Sequence, residues 1–373
     1  MVDSSFWVGK RVIVTGHNGF KGSWLTTWLL KMGAAVKGIS LSKDQSNRIE
    51  EITPRMAAEI AKEDSLFESI SLDIRERAAL RDEISRFRPD IVFHLAAKAL
   101  VLESYDDPAS TWESNVAGTI NVLESVRSLE HKACCLVITT DKVYENKSWE
   151  YPYRENDSIG GAADPYSASK AAVELAVDCW NRSYFQNNSR IDHKKVVCTA
   201  RAGNVIGGGD WSKNRLIPDM LRAQESGMSL FIRNRNSSRP WQHVLEPIAG
   251  YLMYVQKMYS CLEDGAVELP RALNFGPQCG KEITVGDMVQ LFSKKMDSPP
   301  AIVYEESHYA EANRLELDSA LALKTLGWKN ILNPEEIADM TTAWHEDLRK
   351  GASSLKLCIR DIEYYESITN GDE

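Results

Sequence analysis

The chain has 373 residues, of which 43% are hydrophobic, and it carries a formal net charge of −9 at pH 7. This length and apolar content predict a large core divided between two lobes, and the acidic balance argues against a nucleic-acid-binding protein. The sequence has no apolar run of about 18 residues and no charged-then-apolar leader, so neither a membrane span nor a secretory signal is predicted.

The seven cysteines are scattered along the chain, without a C-x-x-C pair and without histidine partners at metal-ligand spacing. This usage predicts reduced thiols, a cytoplasmic location and no metal site. The adjacent Cys134 and Cys135 fall in an apolar run, so we interpret them as packing residues of a strand and not as a redox pair.

The first predicted unit is a strand, a glycine turn and a helix. The β-branched run at 11–15 leads into glycines at G-x-x-G-x-x-G spacing, after which apolar residues recur at helical spacing up to Met32. Glycine permits a tight turn and close backbone approach, and the helix N-terminus faces negative charge. The unit predicts a dinucleotide pyrophosphate site made of Gly16, Asn18, Gly19, Phe20, Lys21 and Gly22. A plain glycine turn before a core helix stays open, but a P-loop is excluded because no G-K-[ST] follows.

Apolar strands then alternate with helical stretches as far as about residue 200. Strands are predicted at 35–40, 69–74, 90–97, 136–140 and 195–201. Two of the intervening helices have clear starts, with Asp107 before Pro108 and Asp164 before Pro165 as N-cap and first-turn residues. The alternation predicts an α/β fold with a Rossmann-type, doubly wound parallel sheet.

Beyond Asn204 the pattern becomes irregular, which predicts a smaller, mixed α/β C-terminal lobe that binds the substrate. We assign residues 1–203 and about 240–275 to the Rossmann domain, and residues 204–239 and 276–373 to the second lobe. Glycines 207–209 suit either a flexible loop or close approach to a ligand. Near the end, Asn333 and Glu336 form a predicted capping box for an amphipathic helix.

Tyr166 and Lys170 lie four residues apart, one turn apart on a single face of their predicted helix. A neighbouring ammonium lowers the pKa of a tyrosine, so that its anion can take a proton from a substrate hydroxyl. The pair therefore indicates oxidation of an alcohol by a bound nicotinamide. Such pairs also occur on ordinary solvated helices, but this one follows Thr139, Thr140 and Asp141 at the end of an apolar strand.

A second polar cluster contains Arg233, Arg235 and Arg239, followed by Pro240 and Trp241. Guanidinium groups match phosphate oxygens, which makes such a cluster informative in an acidic chain. For Arg233 and Arg235, ligand contact and an ordinary solvated hairpin remain equally open. Arg239, beside an aromatic residue and a proline, is favoured as a phosphate contact.

The glycine turn, Asp73, the segment 94–97, Thr140, Tyr166 and Lys170 together resemble the extended short-chain dehydrogenase/reductases that act on nucleotide sugars. The resemblance covers nearly the whole chain. Thr140 and Asp141 stand where the 4,6-dehydratases of this family carry Thr-Asp-Glu, whereas 4-epimerases lack the Asp-Glu pair. Segments 204–211, 239–244, 317–318 and 326–328 are similar to the branch of the family that dehydrates CDP-glucose.

The resemblance implies a closed hydride cycle that yields CDP-4-keto-6-deoxyglucose. Tyr166, assisted by Thr140 and Lys170, takes the proton of the 4-hydroxyl as C4 is oxidised. Asp141 protonates the departing 6-hydroxyl if its environment keeps it protonated. Lys142 stands where most such dehydratases have glutamate; we predict that it is the C5 base, while a cation that stabilises the enolate, or another group as base, stays open.

Other functions also remain open at this point. Another nucleotide-sugar dehydratase, acting on dTDP-glucose or GDP-mannose, is the nearest alternative. A 4-epimerase would lack dehydration, and a non-catalytic NAD(P)-sensing regulator would keep the fold and lose the chemistry.

The resemblance implies NAD as the cofactor. NADP stays open, because Ser40 ends the second strand where NAD-selective sites carry a carboxylate, and Lys43 and Arg48 lie nearby. Asp73 is predicted to contact the adenine amine, with a helix cap as its alternative. The predicted cofactor contacts beyond the glycine turn are Ser40, Asp73, Ile74, Leu95, Ala96, Ala97, Lys98, Thr139, Tyr166, Lys170 and Arg201.

CDP-glucose is the implied substrate, and a homodimer the implied assembly, with no nucleic-acid or membrane partner. Small apolar residues on the helix after Tyr166, such as Ala172 and Ala176, suit a dimer of paired helices, although burial in the chain's own core explains many of them. The resemblance also places the chain in deoxysugar biosynthesis for lipopolysaccharide O-antigen. The predicted substrate contacts are Asn204, Trp211, Arg215, Leu216, Arg233, Arg239, His243, Asn274 and Arg314.

Overall fold

The computed structural model describes residues 1–42, 45–61, 67–185, 194–232, 234–264, 269–277, 283–304 and 314–370. Among the helices of these ranges, none combines the length and apolar character needed to cross a bilayer. The main element is a parallel sheet whose seven described strands run in the order β10-β6-β5-β4-β1-β2-β3. They are β1 Arg11–Thr15, β2 Ala35–Ser40, β3 Phe67–Ser71, β4 Ile91–His94, β5 Ala133–Ile138, β6 Lys195–Ala202 and β10 Ala272–Phe275.

The sheet confirms the predicted Rossmann-type fold. Every pairing between its strands is parallel, and the order reverses beside β1, where Val12 pairs with Val36 of β2 and with Ile91 of β4. Strands β1, β2, β4 and β5 are buried along almost their whole length, as expected when helices cover both faces of a sheet. Cys134 and Cys135 lie in β5 and are both fully buried, in agreement with their predicted packing role.

Helices cover the sheet and form most of the second lobe. Within the described residues they are α1 Ser4–Trp7, α2 Phe20–Lys31, α3 Pro54–Ala61, α4 Arg77–Phe87, α5 Val101–Asp106, α6 Pro108–Trp112, α7 Gly118–Arg127, α8 Pro165–Trp180, α9 Leu216–Ser226, α10 Leu245–Asp264, α11 Val285–Lys295, α12 Ala320–Leu326, α13 Pro334–Arg349 and α14 Ser354–Asn370. Short irregular turns of helix occur at Glu113–Ala117, Asp141–Val143 and Asn181–Phe185.

Three helix starts that the sequence predicted are present. Asp107 accepts a hydrogen bond from the amide of Ser110 at the start of α6, and Asp164 accepts one from Ser167 at the start of α8. Asn333 and Glu336 exchange both bonds of a capping box at the start of α13. Since Asp164 fixes the first turn of α8, it also fixes the direction in which Tyr166 leaves the helix.

Several strand boundaries were predicted wrongly. Strand β3 ends at Ser71 instead of continuing to Ile74, and β4 ends at His94 instead of Ala97. In both cases the chain turns away from the sheet at its carboxyl edge, although apolar residues continue in the sequence. Strand β5 begins three residues earlier than predicted because Ala133–Cys135 pair with β6.

Two small parallel sheets lie outside the main sheet. Strand β7 (Val205–Ile206) pairs with β9 (Gln242–His243), and β8 (Leu230–Ile232) pairs with β11 (Ile302–Tyr304). The first of these pairings joins a strand of the predicted second lobe to one in the segment assigned to the Rossmann domain, and the chain then returns to the main sheet at β10. The exact division of the chain into two domains stays a prediction.

The glycines at 207–209 serve packing within the protein. A Cβ on Gly208 would lie 2.1 Å from the indole of Trp344, and one on Gly209, which has a φ of +90°, would lie 2.4 Å from Ile49. The sequence left open a flexible loop or a close approach to a ligand. The structure favours neither, because protein side chains fill the space beside these glycines.

Candidate active site

The candidate site lies at the carboxyl edge of the main sheet, where the connections after β1, β4, β5 and β6 come together. In doubly wound sheets the ligands bind outside this edge, close to the point where the strand order reverses. The glycine turn follows β1, Thr140 and Asp141 follow β5, and Asn204 follows β6. Helix α8 brings Tyr166 and Lys170 to the same edge.

The glycine turn has the shape of a cradle for an anion. Gly16 has a φ of +76°, and a Cβ there would lie 2.8 Å from the backbone nitrogen of Ala96. A Cβ on Gly22 would lie 2.0 Å from the carbonyl oxygen of Gly16, so α2 packs directly on the turn. Gly19, the N-cap of α2, supplies no side-chain hydrogen bond to the first turn. The amides of that turn therefore remain available to a negatively charged ligand.

Thr140, Asp141 and Lys142 form a connected polar group. The hydroxyl of Thr140 donates to Oδ1 of Asp141 at 2.8 Å, and the Lys142 ammonium donates to the same oxygen at 3.1 Å. Lys142 also reaches Oδ1 of Asn204 at 3.4 Å. Asp141 is fully buried, and its second oxygen, Oδ2, has no hydrogen-bond partner among the described residues. Oδ2 is thus the carboxyl oxygen that can carry a proton toward a ligand.

Tyr166 joins this group through a side-chain hydrogen bond with Thr140. Burial raises the pKa of Tyr166 to about 12, with Asp141 and Asp164 acting in the same direction, while the Thr140 hydrogen bond and the Arg215 guanidinium act against it. The sequence predicted a lowered pKa for Tyr166, whereas in the structure desolvation of the phenolate outweighs the Thr140 hydrogen bond and the Arg215 charge and raises it.

Lys170 is buried below Tyr166 on α8, and its ammonium donates to the carbonyl oxygen of Ile138 at 3.1 Å. Burial lowers the pKa of Lys170 to about 8, while the carboxylate of Glu174 acts against this shift. The Lys170 ammonium is thus held by Ile138, the last residue of β5. Ile138 directly precedes Thr139 and the polar group that contains Thr140.

Lys21, predicted to contact only the cofactor, points among the catalytic side chains. Burial lowers the pKa of its amine to about 7; Arg215, Lys170 and Lys142 add to this shift, and Asp141 opposes it. Arg215 itself forms a 2.9 Å ion pair with Asp210 and interacts electrostatically with Tyr166. Four cationic side chains therefore converge on a region that contains one buried carboxylate, that of Asp141, which favours an anionic ligand.

Several of the residues predicted at the adenosine end of the cofactor site have partners within the protein. Asp73 follows β3, and its carboxylate accepts from the backbone and the guanidinium of Arg75, which lowers its pKa. Ser40 bonds to the adjacent carbonyl of Leu41, and Lys98 forms an exposed ion pair with Asp107.

Leu95, Ala96 and Ala97 line the edge next to Gly16 and are partly buried. Ile74 instead packs against Gly118 of α7, so its predicted cofactor contact is replaced by core packing. Lys43 lies outside the described residues.

Two further predicted cofactor residues have their polar side-chain atoms bonded within the protein, and their cofactor contact stays a prediction. Thr139 donates to Glu174 at 2.5 Å, and Arg201 forms a bidentate pair with the same carboxylate at 3.0 and 2.9 Å. The remaining Arg201 nitrogen donates to the hydroxyl of Tyr144 at 2.8 Å and to the carbonyl of Glu155. Both side chains are buried below the site, and their polar atoms are used within the protein.

Three predicted substrate residues also serve the fold. Trp211 has the Arg48 guanidinium 3.3 Å from its ring centre and His345 beside it, so protein groups cover its ring. His243 is buried next to Trp24, and burial lowers its pKa to about 3. The amide of Asn274 accepts from Tyr144 and donates to the carbonyls of Tyr153 and Asp318, which joins β10 to the second lobe.

The remaining predicted substrate residues lie on several different elements. Asn204 contacts Lys142, and Leu216 begins α9 directly after Arg215. Arg239 is partly buried and donates to the carbonyl of Ser238 at 2.7 Å, while Arg314 pairs with Glu316 at 3.1 Å. Arg233 lies outside the described residues. The roles of these residues in binding stay predictions.

Sequence reasoning missed two side chains that position α8. Asn115 is buried and connects the backbone of Lys98 to the hydroxyl of Ser169, three residues after Tyr166. It lies in a π-helical turn, Glu113–Ala117, which helical periodicity does not reveal. Glu174 was missed as well, although its spacing of eight residues from Tyr166 puts both on one helix face.

Within the described ranges, no group of three or more histidine, cysteine, aspartate or glutamate residues could hold a metal ion.

Comparisons with known proteins agree with this geometry. A family model described as GDP-mannose 4,6 dehydratase matches residues 13–341. The CDP-glucose 4,6-dehydratase of Salmonella typhimurium is 42% identical over 373 residues, covering 99% of each chain. A UDP-glucose 4-epimerase structure from Bifidobacterium longum, in complex with NAD+ and UDP, has a TM-score of 0.76 at 19% identity, covering 92% of this chain and 99% of the other. A Stenotrophomonas maltophila UDP-glucose-4-epimerase gives 0.75 at 21% identity, covering 92% and 100%. Both structures share the fold.

Proposed function

Because the chain belongs to the GDP-mannose 4,6-dehydratase family, we propose that it is a nucleotide-sugar 4,6-dehydratase that converts CDP-glucose to CDP-4-keto-6-deoxyglucose and water. The observation that carries the proposal is the connected group Tyr166, Thr140, Asp141 and Lys142. An alcohol oxidation needs only the tyrosine and its lysine, whereas a dehydration also needs an acid and a base near C5 and C6. This site contains both sets side by side.

NAD is the cofactor of the proposed reaction. The glycine turn supports it, because a side chain at Gly16 or Gly22 would strike the backbone that forms this tight turn, and the amides at the start of α2 suit a pyrophosphate. When bound, NAD+ supplies a positively charged hydride acceptor for C4 and gives the hydride back to C6. Asp73 and Ser40 are our proposed contacts at the adenosine end, and Lys170 our proposed contact at the nicotinamide end.

In the proposed first step, Tyr166 takes the proton of the 4-hydroxyl as C4 becomes a ketone. Burial raises the pKa of Tyr166 to about 12, and the Thr140 hydrogen bond and the Arg215 guanidinium act in the direction that favours the phenolate. Thr140 bonds to Tyr166 and donates to Asp141, so a hydroxyl path of two hydrogen bonds leads from the phenol to the carboxylate. Over this path the proton from the 4-hydroxyl reaches Asp141 and regenerates the phenolate.

In the second step, the C4 ketone acidifies the proton on C5. Lys142, as a neutral amine, accepts that proton, and the C5–H electron pair forms the enolate. Protonated Asp141 then delivers its proton to the 6-hydroxyl, the C6–O bond breaks and water leaves. After hydride returns to C6, the Lys142 ammonium donates a proton to C5, which restores the amine. Every proton is accounted for, because the one removed from the 4-hydroxyl leaves in the water.

The pairing of Lys142 with Asp141 suits both roles. The Lys142 nitrogen lies 3.1 Å from Oδ1 of Asp141, so the proposed base and the proposed acid stand next to one another.

CDP-glucose as the substrate is supported by the name of the Salmonella relative at 42% identity. The cationic region around Lys21 and Arg215 supports a diphosphate, and Arg239, Arg314 and Asn204 are our proposed contacts for the rest of the nucleotide. Incubation with NAD+ and each of CDP-glucose, dTDP-glucose, UDP-glucose and GDP-mannose tests the assignment. A product one water lighter should form fastest from CDP-glucose, and a product of unchanged mass would instead indicate an epimerase.

We also propose a homodimer and a place in the cytoplasm, in a deoxysugar pathway for lipopolysaccharide O-antigen. Leu175 on α8, Trp112 on α6 and Tyr105 on α5 are 63%, 41% and 49% exposed, on helices that contact one another. Large apolar residues grouped in this way support a paired-helix interface. The six cysteines in the described residues are free thiols, which fits a reducing compartment, and Cys279 lies outside them. Sedimentation velocity tests the dimer.

A further inference from the structure

The side chain of Glu174 is the centre of a buried polar network below the catalytic residues. Its Oε1 accepts from Thr139 at 2.5 Å and from Nε of Arg201 at 3.0 Å. Its Oε2 accepts from Thr199 at 2.8 Å and from Nη2 of Arg201 at 2.9 Å. Both oxygens are therefore fully used, and the arginine is held in a bidentate pair.

This network joins α8 to the two strands that deliver the catalytic loops. Thr139 directly follows β5, which leads to Thr140 and Asp141, and Thr199 and Arg201 belong to β6, which leads to Asn204. Tyr166, Lys170 and Glu174 follow one another at intervals of four residues, on one face of α8. A carboxylate at this place therefore determines how the catalytic face of α8 sits on the sheet.

Glu174 also provides negative charge next to Lys170. Burial removes water from the lysine, and the carboxylate one turn away opposes the loss of its proton. The other titratable groups that face Lys170 are Lys21 from α2 and His94 from β4, together with Tyr166 on its own helix. His94 is uncharged near neutral pH, because burial lowers its pKa to about 3. Glu174 is thus the source of negative charge acting on the lysine.

We propose that Glu174 is a positioning residue: it fixes α8 against β5 and β6 and keeps Lys170 a charged ammonium beside Tyr166. The inference rests on the proposed dehydratase function, since it gives the carboxylate a purpose in the alcohol-oxidation step. A merely structural ion pair would support the fold and leave the protonation of Lys170 unchanged.

The test compares Glu174→Gln with the wild type in two measurements. In protein labelled with carbon-13 at lysine, the titration of Lys170, assigned by its absence in Lys170→Met, should move to lower pH by about one unit. The rate of C4 oxidation, followed by nicotinamide absorbance, should lose its alkaline limb at a correspondingly lower pH. Glu174→Asp should restore part of both shifts.

Glu246→Gln is the matched control. Glu246 is also a buried carboxylate, bonded to the amide of Leu332 and the hydroxyl of Tyr365, but it lies outside the site. Its variant should change the melting temperature and leave the Lys170 titration in place. If Glu174→Gln does not fold, because Arg201 is left buried without its partner, the double variant Glu174→Gln with Arg201→Met removes both charges of the buried pair and should shift the Lys170 titration in the same direction.

A folded Glu174→Gln with the wild-type Lys170 titration and pH–rate profile would overturn the proposal, as would an unchanged titration in the Glu174→Gln, Arg201→Met double variant if the first variant is unfolded. The titration needs neither substrate nor cofactor. A failure of the dehydratase assignment would appear separately, as the absence of dehydrated product from the wild-type protein.

Discussion

Thr140 donates a 2.8 Å hydrogen bond to Oδ1 of Asp141, its neighbour in the chain, and both side chains are buried. The same hydroxyl shares a hydrogen bond with Tyr166. A path for protons therefore runs from the tyrosine to the carboxylate without passing through solvent. In the proposed mechanism this path couples oxidation at C4 to the loss of water from C5 and C6.

Thr140→Val removes the hydroxyl and keeps the shape of the side chain. We expect C4 oxidation, measured as the first-turnover change in nicotinamide absorbance, to fall by about 100-fold, because Tyr166 loses a hydrogen bond that favours its anion. Thr140→Ser retains the hydroxyl and should stay within about tenfold of wild type. Equal rates in the valine and serine variants would exclude the hydroxyl path.

Asp141→Asn keeps the oxygen that accepts from Thr140 and Lys142 and removes the acid. Reduced nicotinamide should accumulate, because C4 is still oxidised but the 6-hydroxyl has no proton donor. We expect product formation to fall by at least about 100-fold while the oxidation step changes far less. Rapid-quench measurement of both steps checks this. Near-normal turnover would assign the acid to another group.

Lys142→Met and Lys142→Arg separate a base from a stabilising cation. Both variants should oxidise C4, and both should lose solvent deuterium incorporation at C5 if a neutral amine removes that proton, since arginine does not give up its charge. Retention of C5 exchange in the arginine variant alone would instead support a cation that stabilises the enolate. Retention in both would remove Lys142 from the chemistry.

Lys21→Met should stabilise the ligand-free protein in a pH-dependent way. The folded-state pKa of Lys21 is about 7, below its ordinary value of 10.5, so between these values the unfolded chain binds a proton that the folded chain lacks. The free energy of unfolding of the wild type therefore rises with pH between these two pKa values. The destabilisation caused by Lys21 is largest below about pH 7. After allowance for partial exposure, we expect the variant to be more stable by roughly 1 to 3 kcal/mol at pH 7, with the difference shrinking toward pH 10.

The measurement is thermal unfolding of both proteins at a series of pH values. A second readout is proton uptake when CDP-glucose binds at about pH 8, from calorimetry in buffers of different ionisation enthalpy, because a diphosphate nearby favours the ammonium. The uptake should be absent in Lys21→Met. Parallel stability curves for the two proteins would show that the amine is not desolvated.

Arg239→Ala should raise the KM for CDP-glucose by about tenfold or more and leave the oxidation rate at saturation nearly unchanged, as expected for loss of a charged contact to the nucleotide. Arg235→Ala is the matched control, because Arg235 is exposed and lies over the ring of Tyr304. Similar KM values for the Arg239 variant and the wild type would withdraw this contact.

The fold was predictable from the sequence because its signals are local. The strand–glycine–helix unit, the caps at Asp107, Asp164 and Asn333, and the apolar strands each follow from neighbouring residues. Strand ends were less predictable. Leu95 and Ile74 are apolar, yet the chain has already left the sheet at those positions, and periodicity does not detect where a strand loses its partner.

The site was predictable only in part, for the same reason. Tyr166 and Lys170 share one helix, so their proximity follows from spacing. Thr139 and Arg201 lie near the cofactor region in sequence, but their side chains turn below the sheet edge toward Glu174. Which way a residue points after a strand end, and whether a distant carboxylate already holds it, depends on long-range contacts. The raised pKa of Tyr166 likewise reflects burial, which the motif does not encode.

The most direct test of the proposed function is mass spectrometry of the reaction of the protein with NAD+ and CDP-glucose in deuterated water. We predict a product that has lost one water and carries deuterium at C5, with no net consumption of NAD+. A product of unchanged mass, or a dehydrated product without deuterium at C5, would contradict the account.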